Sequence, residues 1–169
     1  MKGGAGGKAV ERGNLSAMNL LACCLALVLA GIGLIHMAWA AGSNWPCASE
    51  QSLARTVVGS RNIERMPPRF ASFVVALCLI GAAAWALALR DLVPVRIPRE
   101  LLALGGAALV FVFGMRGLLG ILPAFERVAP EQPFVRLNRL YYSPLCILIA
   151  IVFALLVLAL PNWTWRLGL

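Results

Sequence analysis

From Leu101 to Leu122 the sequence reads LLALGGAALVFVFGMRGLLGIL, an apolar run carrying one full charge, Arg116. At about 1.5 Å per residue the run is long enough to cross the roughly 30 Å hydrocarbon core of a bilayer. Three more runs of this kind lie at about 17–41, 70–89 and 141–160. In lipid every backbone polar group must be paired internally, so apolar runs of this length are helices. The expected fold is all-α: an antiparallel bundle of four transmembrane helices spanning residues 17–169, after a mobile basic tail over residues 1–16.

Composition agrees. The chain is 61% hydrophobic and 13% charged, where a soluble domain has about 25% charged residues. The net charge of +8 sits in short loops and tails between apolar runs, with no basic stretch interleaved with aromatics. That pattern points to anionic lipid headgroups and topology signals and away from nucleic acid.

Four spans place both termini on one side. Lys2, Lys8, Arg12, Arg90, Arg96, Arg99 and Arg166 then lie on the terminal side. Arg55, Arg61, Arg65, Arg69, Arg127, Arg136 and Arg139 lie on the other. The totals balance, so the N-terminal flank of the first span decides, and Lys8 and Arg12 favour cytoplasmic termini. Ala38-Trp39-Ala40 also has the shape of a signal-peptidase site, but Met18 to Ile35 exceeds a typical h-region of about 7–15 residues, so the first run is expected to be retained.

The loops carry their own signals. Trp39 and Trp45 bracket the start of the first loop, and Trp163 and Trp165 follow the last span, as interfacial aromatics do. Leu53, Ala54, Val57 and Val58 form one helical stripe, which predicts a short helix lying on the membrane surface. Pro67-Pro68, Pro94, Pro98, Pro123 and Pro161 punctuate the spans. Ser143-Pro144 reads as the capped opening of span four, Ser as N-cap and Pro in the first turn.

Few residues could carry chemistry. Arg116 lies six residues before Leu122, about 9 Å inside the end of its span, where a charge is costly and is by default a functional candidate. Snorkelling to the interface is the structural alternative. Gly114, Gly117 and Gly120 around it clear space for a neighbouring helix. His36 is the sole histidine, with Trp39 one turn on; it is either a proton acceptor or ligand contact, or a histidine bonded to a neighbouring helix. Alternating chain direction brings His36, Trp39, Arg116, Tyr141 and Tyr142 to similar depth near one face; with Asn138, which leads the third loop back into the membrane on that face, they form the expected ligand-binding set.

No acidic residue lies within a span, and no paired-carboxylate site, nucleophile elbow or phosphate-binding glycine loop is present. The expectation is therefore no catalytic residue, no metal and no cofactor. Cys23, Cys24, Cys78 and Cys146 sit in apolar runs and Cys47 in a loop; a Cys47–Cys146 disulfide is conceivable only if their helix ends meet.

Three functional readings remain. The first is a non-enzymatic membrane protein with a small polar pocket near one face, binding a lipid headgroup, a small polar ligand, or the span of a partner protein or second copy. The second is a membrane enzyme or redox subunit using His36 as acid/base. The third is a small-solute carrier, weakened by the lack of internal repeats and of an acidic coupling residue.

One resemblance adds to this. His36 to Gly42, Arg116-Gly117, Phe134 to Asn138 and Tyr142-Ser143-Pro144-Leu145-Cys146 together resemble a bacterial family of small four-span membrane proteins catalogued as a domain of unknown function. The resemblance implies the fold and a bacterial inner-membrane location, and no activity. Its pattern places an Asp-Phe pair soon after the arginine. Here Gly120 to Pro123 holds no acid, which removes the ion-pair partner the resemblance would give Arg116.

Overall fold

The computed structural model describes residues 4–160. Lys2, Pro161, Trp163, Trp165, Arg166 and the side chains of Lys8 and Arg12 lie outside the described residues. The chain runs α1 (Gly4–Ala40), α2 (Glu50–Val57), α3 (Arg69–Ala88), α4 (Arg99–Ile121), α5 (Pro123–Val128), α6 (Phe134–Leu137), a π-helical turn (Asn138–Tyr142) and α7 (Ser143–Leu158). No strand occurs among the described residues. Four segments are long and apolar enough to span a membrane: Leu15–Ala40, Arg69–Ala88, Arg99–Ile121 and Phe134–Leu158. These correspond to the four expected runs. The backbone is already helical from Gly4, within the stretch assigned to the basic tail.

α1 and α3 stop where the sequence provides a left-handed residue. α1 ends at Gly42, with φ +97°. The Ser43 N–H reaches the Ala38 carbonyl at 2.9 Å and the Gly42 N–H reaches Trp39 at 3.0 Å, the two bonds of a Schellman cap. α3 ends in the same way with Asp91 at φ 56°, a conformation Asp tolerates better than most residues. Asp91 then pairs with Arg99 at 2.8 Å across the tight second turn.

The bundle is built as two close pairs, α1 on α3 and α4 on α7, with lesser contact between them. Small residues make the first pair close. Ala22 and Ala26 of α1 and Ala76, Ala82, Ala83 and Ala86 of α3 are buried. A Cβ on Gly33 would lie 3.3 Å from the Ala76 carbonyl. Lipid offers no hydrophobic drive to bring helices together, so close backbone packing must supply the attraction. Leu20, Leu27, Leu34, Phe70, Leu104 and Phe111 point outward, each more than 60% exposed. So large an apolar surface has its natural solvent in the acyl chains.

At the end of the bundle nearer the termini, Arg90 is buried. Its Nε donates to Asn19 of α1 at 3.1 Å and its Nη1 to the Ala159 carbonyl beyond α7 at 2.8 Å. From sequence alone Arg90 has only a topological role. In the fold it ties three helices together and places a cation at the C-terminal end of α7, the favourable end for positive charge.

The first loop folds onto the protein. α2 starts at Ser49, whose hydroxyl accepts the Ser52 N–H at 3.2 Å. Leu53 and Ala54 are fully buried, so the apolar stripe expected on the membrane surface is turned inward. Its partner is the third loop. Gly59, at φ +72°, lies against Phe134, whose ring occupies the place of a Cβ there. The Gly59 carbonyl accepts the Glu131 N–H at 3.1 Å, and the Glu131 carboxylate accepts the Asn62 N–H at 3.0 Å.

Candidate functional site

Arg116 faces protein and does not snorkel outward. Its Nη2 donates to Asn138 Oδ1 at 3.1 Å, and its guanidinium lies over the Phe125 ring at 5.3 Å. The amide of Asn138 donates in turn to the Gly120 carbonyl at 2.6 Å, and the Ser143 hydroxyl donates to Asn138 Oδ1 at 3.2 Å. Two donors converge on the amide oxygen and one acceptor meets its nitrogen, so this is the amide orientation that fits. Asn138 and Ser143 are buried at 2% and 0% exposure, which makes the cluster an internal joint between α4 and the last span.

Glycine makes the joint possible. A Cβ on Gly120 would collide with Ser143 Oγ and fall 2.6 Å from Arg116 Nη1. A Cβ on Gly117 would fall 3.0 Å from the Ser143 carbonyl. The glycines expected to admit a neighbouring helix admit α7 and, at Gly120, the arginine head itself.

The opening of span four differs from expectation. Helical backbone runs from Phe134 through the π-helical turn into α7, so Ser143 caps nothing. Its N–H bonds to the Asn138 carbonyl five residues back, and its hydroxyl belongs to the Arg116 joint. The wider turn explains how Pro144 follows inside continuous helix. A proline lacks the N–H and crowds the preceding turn, and one extra residue per turn gives its ring room.

Arg116 is only partly satisfied. Its Nη1 is buried without a hydrogen bond. Among the described residues the ion pairs are Arg55–Glu131, Arg99–Asp91 and Arg139–Glu126, none involving Arg116.

The other expected residues fall elsewhere. His36 Nδ1 lies 2.9 Å from the Ile32 carbonyl one turn back; a carbonyl only accepts, so Nδ1 carries the proton. The imidazole packs on Trp39 at 4.7 Å between ring centroids, and the Trp39 indole N–H donates to the Trp45 carbonyl at 2.7 Å. Tyr142 donates to the Thr56 carbonyl at 3.3 Å and packs near Phe134, joining α2 to the last span. Tyr141 points outward, 62% exposed. Thus Arg116 and Asn138 meet, His36 and Trp39 meet, and no hydrogen bond links the two sets among the described residues. All five cysteines are free thiols, Cys47 and Cys146 included.

A polar cavity lies beside the second set, and of the expected residues it is lined by Trp39 alone. This cavity, of about 140 Å³, is lined by Trp39, Gly42, Ser43, Asn44, Glu50, Met66, Pro67, Arg69 and Ser72. It lies where α1 ends, α2 begins and α3 starts, on the side away from the termini. One water needs roughly 10–15 Å³ of such space, so the cavity can hold a small polar group. Arg69 forms no hydrogen bond or ion pair among the described residues. It heads α3, where the helix dipole is already positive, and the guanidinium lies against Gly42. Glu50 also lines the cavity; one carboxylate oxygen accepts the Met66 N–H at 3.1 Å. Ser72 is buried, lines the cavity, and has no hydrogen bond to its hydroxyl among the described residues. A second, apolar groove of about 380 Å³ is lined by Met37, Ala40, Ala41, Phe70 and Phe73, and again by Arg69.

Of the residues in the expected ligand-binding set, Trp39 lines this cavity; Glu50, Arg69 and Ser72 line it too and were not in that set. Arg69 read as one loop charge among several. The available signal was its place directly after Pro67-Pro68 at the head of a span, the wrong helix end for a cation.

Residues 16–153 match the family described as "Protein of unknown function (DUF3995)". No curated protein matches the chain, and no solved structure does.

Proposed function

Since the chain belongs to the DUF3995 family and is a multi-pass membrane protein, we propose that it binds a membrane lipid by its headgroup, in the polar cavity between the ends of α1 and α3. The observation that carries this is Arg69, a cation shared by a polar cavity and an apolar groove. A phospholipid has the same division: a charged head joined to an apolar tail at a phosphate. Arginine suits that junction because its planar fork meets phosphate oxygens in pairs. Exposed Trp45 and the Trp39 ring stand at this level, as aromatics do at the headgroup boundary.

With Lys8 and Arg12 flanking the first span, we place the protein in a bacterial inner membrane with cytoplasmic termini, so that the cavity opens to the outer leaflet. No catalytic step is assigned.

The test is lipid retention. Protein extracted in mild detergent and weighed by native mass spectrometry carries bound phospholipid, and Arg69→Gln loses it by about tenfold, the scale of one charge-assisted hydrogen bond. Equal retention by both proteins would overturn the proposal.

A further inference from the structure

The cavity holds two opposite charges that do not neutralise one another. Arg69 and Glu50 both line it, yet no ion pair forms between them among the described residues. Glu50 is tied instead to the Met66 N–H, and the Arg69 guanidinium lies beside Gly42 with no hydrogen bond among the described residues. Two opposite charges that line one cavity without pairing fit a group that is itself dipolar.

The order of the walls gives the direction of that dipole. Phe70 and Phe73 line the apolar groove, Arg69 lines groove and cavity, and Glu50 lines the cavity alone. From the acyl side inward, the walls are apolar, cationic, anionic. A phospholipid bearing an amino alcohol has the complementary order: acyl chain, phosphate, ammonium.

The remaining lining distinguishes one ammonium from another. Ser72, Ser43 and Asn44 line the same cavity as Glu50; the Ser72 hydroxyl has no hydrogen bond among the described residues, and the Ser43 hydroxyl accepts the Trp45 N–H at 3.2 Å and keeps a second lone pair. A primary ammonium has N–H donors for such acceptors. A quaternary ammonium has none and would give the Ser72 hydroxyl and the Glu50 carboxylate no donor. We infer that the cavity selects a phospholipid whose headgroup is a phosphate ester carrying a primary ammonium, in preference to an anionic or choline-type headgroup. This rests on the headgroup reading above and specifies its ligand.

The experiment uses the full chain in nanodiscs holding equal parts of phosphatidylethanolamine, phosphatidylglycerol and phosphatidylcholine. Lipid that stays bound on release is identified by native mass spectrometry. The wild type is expected to retain phosphatidylethanolamine with about tenfold enrichment, the ratio that one additional charge-assisted hydrogen bond would give. Glu50→Gln is expected to keep bound phospholipid and lose the preference, whereas Arg69→Gln loses all three lipids. Both side chains are exposed, and an unchanged melting profile identifies folded variants. No preference in the wild type, or an undiminished one in Glu50→Gln, would overturn the selectivity while leaving the headgroup site standing. Full retention in Arg69→Gln would overturn the site itself. A soluble arm uses O-phosphoethanolamine; its binding without any retained phospholipid would overturn the assignment to a lipid.

Discussion

The α4/α7 pair and the α1/α3 pair each bring an arginine to the same end of the bundle and use it in opposite ways. Arg116 is folded inward onto Asn138, Gly120 and Phe125, and its neighbours Asn138 and Ser143 are buried. Arg69 is exposed, engages no hydrogen-bond partner among the described residues, and lines both a polar cavity and an apolar groove. The first arrangement spends its polar groups on cohesion between helices. The second leaves its guanidinium unengaged among the described residues. A deeply placed charge therefore does not identify a binding site by depth: Arg116 is engaged by Asn138 and Phe125 with Nη1 alone left without a hydrogen bond, whereas the Arg69 head has no hydrogen-bond partner among the described residues.

This contrast can be broken from the cohesive side first, where the largest effect is expected. Gly120→Val places side-chain atoms where Ser143 Oγ and Arg116 Nη1 now sit. Overpacking of that kind costs about 1–3 kcal/mol, and loss of the Asn138 bonds adds to it. Thermal unfolding in detergent should show the bundle markedly destabilised, and a melting point close to the wild type would contradict the joint.

Asn138→Leu comes next. It leaves the Gly120 carbonyl without its donor and Arg116 without its acceptor, at about 1–3 kcal/mol for each buried group stranded. Combined with Arg116→Leu the cost should be less than additive, with a coupling of about 0.5–3 kcal/mol. Strictly additive losses would mean that the two residues do not act together.

On the open side, stability should hardly move. Arg69→Gln and Glu50→Gln remove exposed charges, and surface changes of this type usually stay within about ±0.5 kcal/mol. A large drop in melting point for either would mean that the cavity walls are structural and would weaken the contrast. The smallest effect is expected for Tyr141→Phe, because its side chain faces outward; both lipid retention and stability should match the wild type.

The fold was legible because membrane helices are written as length and apolarity, and no loop signal interferes. The joint was legible in part. Glycine spacing around Arg116 pointed to close helix packing, and the third loop's return on the same face put Asn138 near it. The π-helical turn was hidden, since Ser-Pro after a polar loop has the same letters as a capped helix start, and only the Asn138 carbonyl's choice of partner separates the two. Arg69 and Glu50 were hidden for a different reason. A charge at the edge of a span is ordinary in any membrane protein, and their shared cavity arises from the fold of the first loop, which carries no long-range periodicity. His36 looked prominent as the lone histidine, yet its bonded nitrogen is occupied by its own helix.

The most direct measurement is the site of covalent capture of a phospholipid carrying a photoreactive group next to its phosphate, mapped by peptide mass spectrometry on the full chain in native lipid. Labelling concentrated between Trp39 and Phe73 is the predicted result. Labelling concentrated between Arg116 and Ile147, with the α1/α3 end unmodified, would contradict the account.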